Sequence, residues 1–336
     1  QMCIRDRPEA VRRIEELALR ELPADATEEE KEDCRIELIQ ADLRDPVAVE
    51  RLFADRPEHD RIYAVILIGA LKAVGESSEI PIDYYNVNVG GLLHLLSAMD
   101  KYDARRLVYS SSATVYGAPE TIPIPETTPM DPHSPYGRSK QICEMIIRDV
   151  CAANPKWRAI TLRYFNPAGA HPSGRMGEDP RGKPGNLLPL LAQMAVGKYR
   201  EPGLKVFGND YPTPDGTCVR DYIHILDLAE GHLNAMVALD NDATFDHAEA
   251  GHGKCRAFNL GKGVGMSVLN MIEAMRKVTG YEFPYDIVER RPGDVPDLTA
   301  NPALAERELG FKATRSLDDM CRDLWNWQKN NPNGYD

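Results

Sequence analysis

Continuous apolar runs alternate with amphipathic stretches through the first half of the chain. Residues 63–70 and 107–112 are apolar runs that end in small or hydroxyl side chains, which is typical of strands buried in a parallel sheet. Residues 46–54 and 89–102 carry apolar side chains at helical spacing, and 158–165 predict a further strand. Strands that alternate with helices in this way predict an α/β fold with a doubly wound parallel sheet.

The N-terminal segment shows three different patterns. Apolar positions at helical spacing, with a proline in the first turn, predict a helix over 8–22. Alternation of polar and apolar residues predicts a strand over 35–40. Residues 1–7 fit neither a strand nor a helix, and we interpret them as an artefact rather than native sequence.

Long loops rich in glycine, proline and asparagine follow residue 166. Loops of this kind near strand ends carry ligand sites more often than core residues. Between them the pattern predicts a strand and a helix within 216–239, a short strand at 255–260, a helix capped by Ser267 and a helical tail over 301–327.

Composition excludes several classes of function. The net charge of −12 over 336 residues argues against nucleic acid or an anionic membrane as a partner. The seven cysteines are odd in number and scattered, which indicates a reduced, cytoplasmic protein. The eight histidines lack metal-ligand spacing, so we expect no metal. The sequence shows neither an apolar run of about 20 residues, as a membrane span needs, nor a signal peptide.

A tyrosine and a lysine four residues apart suggest proton transfer. Tyr136 and Lys140 share one face of a predicted helix, and Ser112 ends a strand 24 residues earlier. Tyrosine titrates near ~10, too high for a base at neutral pH. A neighbouring ammonium stabilises the phenolate and lowers that pKa. The alternative is a tyrosine packed at a helix start beside a solvated lysine.

Six motifs occur in an order that resembles one enzyme family: S-S-S-A-T-V-Y-G, S-P-Y-G-R-S-K, L-K-A-V-G-E-S at 71–77, R-Y-F-N-P-A-G-A-H-P-S-G at 163–174, F-G-N-D-Y-P-T at 207–213 and V-R-D-Y-I-H at 219–224. Over 38–336 the chain resembles the UDP-glucose 4-epimerase family of the extended short-chain dehydrogenase/reductases. The resemblance implies a Rossmann-like NAD-binding domain at 1–165, to which 217–240 returns, and a smaller mixed α/β UDP-sugar domain at 166–336. It also implies a homodimer.

Ser112, Tyr136 and Lys140 match the catalytic residues of that family. The resemblance implies that Tyr136 deprotonates the sugar 4-hydroxyl while C4 gives hydride to tightly held NAD. The 4-keto sugar then turns over in the site, and hydride returns to its other face. A reaction without net oxidation therefore needs a redox cofactor.

The resemblance also assigns binding residues. For NAD they are Asp42, Leu43, Gly69, Ala70, Lys72, Asn88, Ser110, Tyr136, Lys140 and Phe165. For the UDP-sugar they are Ser112, Asn166, Asn186, Leu187, Phe207, Arg220, Arg291, Asp294 and Leu298. The two arginines would hold the diphosphate, a task suited to a planar fork of donors. The alternatives are a helix-capping role for Asp42 and a core role for Phe165.

The sequence departs from the family pattern in three places. It lacks the opening strand, the Gly-rich G-x-x-G-x-x-G turn and the βαβ unit around them, so we expect an N-terminally truncated chain with a damaged NAD site. Leu298 stands where a bulky aromatic side chain excludes N-acetyl sugars and a small one admits them. Residues 67–70 are L-I-G-A rather than H-F-A-G.

Several functions stay open at this point. Interconversion of UDP-glucose and UDP-galactose is favoured, and epimerisation of a UDP-linked N-acetylhexosamine, pentose or uronate is the nearest alternative. Nucleotide-sugar dehydratases place an Asp-Glu pair after the strand-end hydroxyl, where this chain has Ala113 and Thr114. The alternative from another class is a non-catalytic fragment that binds UDP-sugars.

Overall fold

The protein is an α/β structure in which a parallel sheet is covered by helices. The computed structural model describes residues 8–32, 34–54, 56–57, 60–180, 182, 184–199, 203–291 and 293–335. Residues 1–7, interpreted above as an artefact, lie outside the described residues.

The strands of the described residues are β1 (Val65–Leu67), β2 (Arg106–Ser112), β3 (Arg158–Tyr164), β4 (Asn166–Ala168), β5 (Leu204–Phe207), β6 (Val219–His224), β7 (Cys255–Leu260), β8 (Gly265–Ser267), β9 (Tyr285–Val288) and β10 (Asp297–Leu298). The α-helices are α1 (Pro8–Glu21), α2 (Glu28–Glu32), α3 (Pro46–Ala54), α4 (Val74–Glu79), α5 (Pro81–Tyr84), α6 (Gly91–Lys101), α7 (Pro135–Ala153), α8 (Leu187–Ala195), α9 (Ile225–Ala238), α10 (Val268–Thr279), α11 (Ala303–Leu309) and α12 (Leu317–Asn330). A π-helix, Tyr85–Gly90, joins α5 to α6.

The principal sheet has the strand order β1-β2-β3-β7, and every pair in it is parallel. Buried side chains of α3, α6 and α7 form an apolar cluster with β2 on one face. Side chains of α9 and α11 form a second cluster on the other face. The two covered faces confirm the predicted α/β class and explain why β2 and β3 are buried along most of their length.

Strand β7 joins the principal sheet, although the sequence interpretation placed residues 255–260 in the substrate half. It pairs with β3 from Ala159–Cys255 to Tyr164–Leu260. Phe258 and Leu260 are fully buried, so pairing beside β3 removes the apolar residues of β7 from water. The boundary at residue 165 stays a prediction, and the chain returns to this sheet well after it.

The predicted strand over 35–40 is wrong. Residues 35–40 have no regular structure, and Ile36, Leu38 and Ile39 are exposed by 42%, 44% and 45%. The backbone N–H of Ile36 donates to the Glu15 carboxylate at 2.8 Å. Alternation indicates a strand only where a neighbouring strand completes the ladder, and the described pairings give these residues none.

A second region is built from shorter strands. β6 lies between β10 and β4 and also pairs antiparallel with β8, while β5 pairs with β9. Helices α8, α10 and α12 pack around a separate apolar cluster. Ser267 caps α10 as predicted, with a reciprocal bond to Asn270. The predicted helical tail is two helices, because Gly310 ends α11 at a φ of 63°.

Among the described residues, no helix has the length and apolar character that crossing a membrane requires. The same residues contain no group of three or more His, Cys, Asp or Glu side chains able to hold a metal ion.

Candidate active site

The carboxyl end of β2 presents three serines whose side chains point to different neighbours. The Ser110 hydroxyl lies 3.2 Å from His232 Nε2, and Ser111 donates to Glu144 at 2.6 Å. Ser112 ends the strand, and its hydroxyl accepts from the N–H of Thr114 at 3.3 Å. That cap turns the backbone into a short 3₁₀-helix, Ala113–Tyr116, and leaves Ser112 at the edge of the sheet.

Helix α7 brings Tyr136 to this edge. Ser134 caps the helix by accepting from the N–H of Gly137 at 3.1 Å, with Pro135 in the first turn. A Cβ on Gly137 would lie 2.8 Å from the carbonyl oxygen of Thr114. Glycine at this position therefore permits a close approach between the start of α7 and the 3₁₀-helix that follows Ser112.

Tyr136 and Lys140 are both buried at this edge. The Lys140 ammonium lies 6.0 Å from the centre of the Tyr136 ring and donates to the Ser110 carbonyl at 2.7 Å. Burial raises the pKa of Tyr136, and a hydrogen bond with Ser112 opposes that rise. Burial lowers the pKa of Lys140 to about 8. The structure therefore brings the three predicted catalytic residues together, with the lysine able to change charge near neutral pH.

Asn88 holds the loop that follows β1. Its amide oxygen accepts from the N–H of Leu71 at 2.8 Å, and its amide nitrogen donates to the Leu71 carbonyl at 3.0 Å and the Ser139 hydroxyl at 3.0 Å. Ser139 donates in turn to the Tyr136 carbonyl at 2.7 Å. One buried amide thus connects the loop carrying Gly69 and Ala70 to the first turn of α7.

Two further predicted cofactor residues, Asp42 and Leu43, lie just before α3. Asp42 pairs with Arg44 at 2.7 Å, and Asp45 rather than Asp42 caps α3. A Cβ on Gly91 would lie 2.8 Å from Leu43 Cβ, so the start of α6 packs closely on that segment.

Two of the predicted cofactor residues are engaged by other parts of the protein. Lys72 lies 3.6 Å from the Glu178 carboxylate. Phe165 is buried in an apolar cluster with Ile124 and Ala300, as the core alternative expected.

Four predicted substrate residues converge beyond the end of β5, namely Phe207, Arg220, Arg291 and Asp294, and Leu298 is a fifth beside them. Arg291 pairs with Asp294 at 3.0 Å, and its guanidinium lies 4.9 Å from the centre of the Phe207 ring. Arg220 approaches the same Asp294 carboxylate at 3.7 Å. Leu298 pairs with Arg220 in the ladder between β10 and β6. Two cations and an aromatic ring thus lie within reach of one another.

The other predicted substrate residues lie at element ends. Asn166 opens β4, where it pairs with Tyr222 of β6. Asn186 precedes α8 and its exposed side chain makes no capping hydrogen bond, while Leu187 begins that helix and packs on the apolar cluster around it.

Sequence reasoning missed several groups around the arginines. Burial raises the pKa of Tyr222 to about 12, and the charges of Arg220 and Arg291 oppose that rise. The Arg290 guanidinium lies 4.1 Å from the centre of the Tyr211 ring. An open groove of about 640 Å³ is lined by Gly208, Asn209, Asp210 and residues 287–290. Tyr211, Tyr222 and residues 208–210 belong to the motifs at 207–213 and 219–224, and residues 287–290 directly precede Arg291. This closeness in the sequence to predicted substrate residues was the available signal.

Comparison with known proteins places this arrangement in a family. The family profile described as GDP-mannose 4,6 dehydratase matches residues 7–324. UDP-glucose 4-epimerase of Bacillus subtilis is 52% identical over 296 residues, covering 88% of this chain and 83% of the relative.

Solved structures agree with this placement. UDP-glucose 4-epimerase from Bifidobacterium longum in complex with NAD+ and UDP is 44% identical with a TM-score of 0.83, covering 97% of this chain and 89% of that one. The UDP-Glc/GlcNAc 4-epimerase of Campylobacter jejuni is 32% identical with a TM-score of 0.72, covering 91% and 89%. The chain therefore belongs to the UDP-glucose 4-epimerase family.

Proposed function

We propose that this protein interconverts UDP-glucose and UDP-galactose with NAD as its cofactor. The observation that carries the proposal is the meeting of Ser112, Tyr136 and Lys140 at one edge of the principal sheet. The 52% identity to a curated UDP-glucose 4-epimerase supports the choice of reaction.

Tyr136 is the proposed proton carrier. Its phenolate would take the proton of the sugar 4-hydroxyl and return it after the sugar has turned. Burial opposes ionisation of Tyr136, so a nearby positive charge is needed, and the Lys140 ammonium provides one at 6.0 Å from the ring centre. Ser112 would hold the substrate oxygen beside the phenol. When bound, NAD supplies a reversible hydride acceptor for C4.

The residues at the sheet edge fit a dinucleotide. Open α/β sheets bind such ligands beyond the carboxyl ends of their strands, and the loop after β1 is held there by Asn88. Gly91 allows the Leu43 segment to pack beside it. The residues that would hold NAD are Asp42, Leu43, Gly69, Ala70, Lys72, Asn88, Ser110, Tyr136, Lys140 and Phe165.

The UDP moiety is assigned to the second region. Arg220 and Arg291 would hold the diphosphate, because both guanidinium groups already converge on Asp294. Phe207 offers an aromatic face beside Arg291 for the base. Asn166, Asn186, Leu187 and Asp294 complete the proposed site.

Leu298 is the proposed wall of the sugar pocket. It packs against the apolar cluster that contains Ile124 and Phe165. Its size is intermediate, so we propose UDP-glucose and UDP-galactose as preferred substrates, with a lower kcat/KM for the N-acetyl sugars. A 32% identical relative carries the name UDP-Glc/GlcNAc 4-epimerase. Comparing kcat/KM for UDP-galactose and UDP-N-acetylgalactosamine tests this preference, and equal values would contradict it.

The substitution Tyr136→Phe tests the reaction itself. It should lower kcat by about 10²- to 10⁴-fold, the usual contribution of a general acid–base group. UDP-galactose consumption is followed in an assay coupled to UDP-glucose oxidation. Tyr281→Phe is the matched control. Tyr281 packs on Phe283 in the apolar cluster of α8, α10 and α12, which contains none of the three proposed catalytic residues. Normal turnover by the Tyr136 variant would exclude the proposed mechanism.

Dehydration is a second candidate because the matching profile is described as GDP-mannose 4,6 dehydratase. Ala113 and Thr114 begin the 3₁₀-helix directly after Ser112, where a dehydratase would place an acidic pair. An alanine and a threonine at these positions supply no carboxyl group to eliminate water. Product analysis that found a 4-keto-6-deoxy sugar would overturn this preference.

We further propose a cytoplasmic homodimer that forms through α6 and α7. Leu93 and Met145 are 46% and 52% exposed on those helices, and the cysteines of the described residues are free thiols. Light scattering should give twice the chain mass for the wild type and the single mass for Met145→Glu. Leu233→Glu, at a 62% exposed position on α9, should leave the dimer intact.

A further inference from the structure

A buried carboxylate lies one helical turn beyond Lys140 on α7. Glu144 has no exposed surface, and its spacing of four residues places it on the same helix face as Lys140. A buried charge persists only where it is paired and hydrogen-bonded. The partners of Glu144 therefore show what this charge holds in place.

Glu144 receives hydrogen bonds from three side chains. Arg163 of β3 donates to both carboxylate oxygens, at 2.9 and 2.7 Å. Arg148, one turn further along α7, donates at 2.9 Å, and Ser111 donates at 2.6 Å. Burial alone would raise the pKa of Glu144, but Arg163 and the other donors leave it below its usual value. The group is therefore an anion at neutral pH.

These bonds secure the strand end that serves the proton-transfer site. Ser111 lies between Ser110, whose carbonyl accepts from Lys140 at 2.7 Å, and Ser112. Ser111 and Arg163 are also aligned in the ladder between β2 and β3. The Glu144 carboxylate accepts hydrogen bonds from both Ser111 and Arg163. It therefore fixes the backbone that carries the Ser110 carbonyl, which accepts from Lys140, and the Ser112 hydroxyl.

Arg163 extends the network to the loop that precedes α7. It donates to the Tyr116 hydroxyl at 3.0 Å and to the Glu126 carbonyl at 3.1 Å. Tyr116 donates in turn to Asn259 of β7 at 2.7 Å. The 3₁₀-helix and the loop that follows it are thereby tied to the same guanidinium.

We propose that Glu144, with Arg163, is a positioning residue that holds the carboxyl end of β2 in register with α7, so that Ser112, Tyr136 and Lys140 stay in one geometry. The proposal rests on the proposed function for its kinetic consequence. Its structural consequence is independent of activity. Neither Glu144 nor Arg163 needs to touch the substrate.

The most direct test is Ser111→Ala, which removes the bond between Glu144 and the strand end but leaves the Glu144–Arg163 pair intact. Misplacement of catalytic groups by about 1 Å can lower the rate by up to about 100-fold. We expect kcat for UDP-galactose to fall by that factor, while KM and the Kd for UDP change less than about 2-fold. Glu144→Gln should show the same separation of kcat from KM.

Glu308→Gln provides a matched control. Glu308 pairs with the largely buried Arg256 at 2.7 Å, in a part of the molecule that contributes no residue to the proposed site. This variant should lower the melting temperature and leave kcat unchanged. If Ser111→Ala and Glu144→Gln keep the wild-type kcat, or lose it only in proportion to the fraction unfolded, the positioning role is excluded.

Hydrogen–deuterium exchange gives a readout that does not depend on turnover. Amides within 110–117 should exchange faster in Ser111→Ala than in the wild type or in Glu308→Gln. The reason is that the strand end no longer has the hydrogen bond between Ser111 and Glu144 of α7. Unchanged exchange there would overturn the inference even if the enzyme is inactive. Absence of epimerase activity in the wild type would instead refute the proposed function.

Discussion

At the scale of single residues, burial controls the charges of the proposed site. Lys140 and Tyr136 occupy the same buried edge, and desolvation favours the neutral form of each. Burial therefore lowers the pKa of Lys140 to about 8, close to neutral pH. Its charge is therefore available at physiological pH but is lost at moderately alkaline pH.

This lowered pKa links Lys140 to stability. The unfolded chain binds the lysine proton up to about 10.5, whereas the folded protein releases it near 8. The unfolded state thus holds more protons in this window, so the contribution of Lys140 to the free energy of unfolding rises with pH, by roughly 3 kcal/mol in all. Denaturant unfolding between pH 7.5 and 10 should show a shallower rise for Lys140→Met than for the wild type. Parallel curves would contradict the assignment.

At the scale of elements, much of the fold could be predicted because burial leaves a clear pattern in the sequence. Strands β2 and β3 and helices α1 and α3 were predicted almost to their ends. The strand predicted over 35–40 was wrong because alternation of polar and apolar residues does not show whether a partner strand is present. The place of β7 beside β3 depends on pairing between residues that are 96 positions apart, such as Ala159 and Cys255, which no local pattern encodes.

The proposed site could be predicted only where its residues follow a recognisable local pattern in the sequence. Tyr136 and Lys140 are recognisable because they share one helical turn, and Ser112 because it ends an apolar run. Glu144 was missed because a glutamate on an amphipathic helix usually faces water. Its burial follows from the pairing with Arg163 on another element.

The contact between α7 and the 3₁₀-helix gives a test at this scale. Gly137→Ala would place a methyl group 2.8 Å from the Thr114 carbonyl oxygen and from Pro132 Cβ. Overpacking of this kind typically costs about 1–3 kcal/mol, and kcat should fall because Tyr136 moves with the helix end. Thermal unfolding and the epimerase assay measure both effects.

Gly75→Ala is the control for that substitution. A Cβ at Gly75 meets no atom within 4 Å, and the residue lies in α4. Alanine should therefore leave kcat unchanged and stabilise the helix by about 0.5–1 kcal/mol. Equal effects of the two substitutions would show that the close approach at Gly137 is unimportant.

At the scale of the whole molecule, an acidic protein of net charge −12 is proposed to bind an anionic ligand. Local cations must overcome the overall charge, and Arg220 and Arg291 are placed to do so. Because both already face Asp294, their positive charge is concentrated at one point of an acidic protein.

Ligand-linked stability tests this distribution of charge. UDP at 100 times its Kd should raise the free energy of unfolding by about 2.7 kcal/mol. Arg220→Ala should abolish most of that gain at the same UDP concentration, because the diphosphate loses a guanidinium. Arg276→Ala, which removes an exposed pair with Glu273, should keep it. Calorimetric binding and melting curves with UDP alone are sufficient, and an undiminished gain in Arg220→Ala would remove that residue from the site.

The backbone around Leu298 is fastened to the loop that follows Ser112. Ile124 donates to the Thr299 carbonyl at 2.8 Å, and Asn301 donates to the Ile124 carbonyl at 2.9 Å. These bonds use main-chain atoms only, so exchanging the side chain at residue 298 leaves them in place. Because Leu298 is the proposed wall of the sugar pocket, we expect point substitutions at this position to change the substrate range while these main-chain bonds remain.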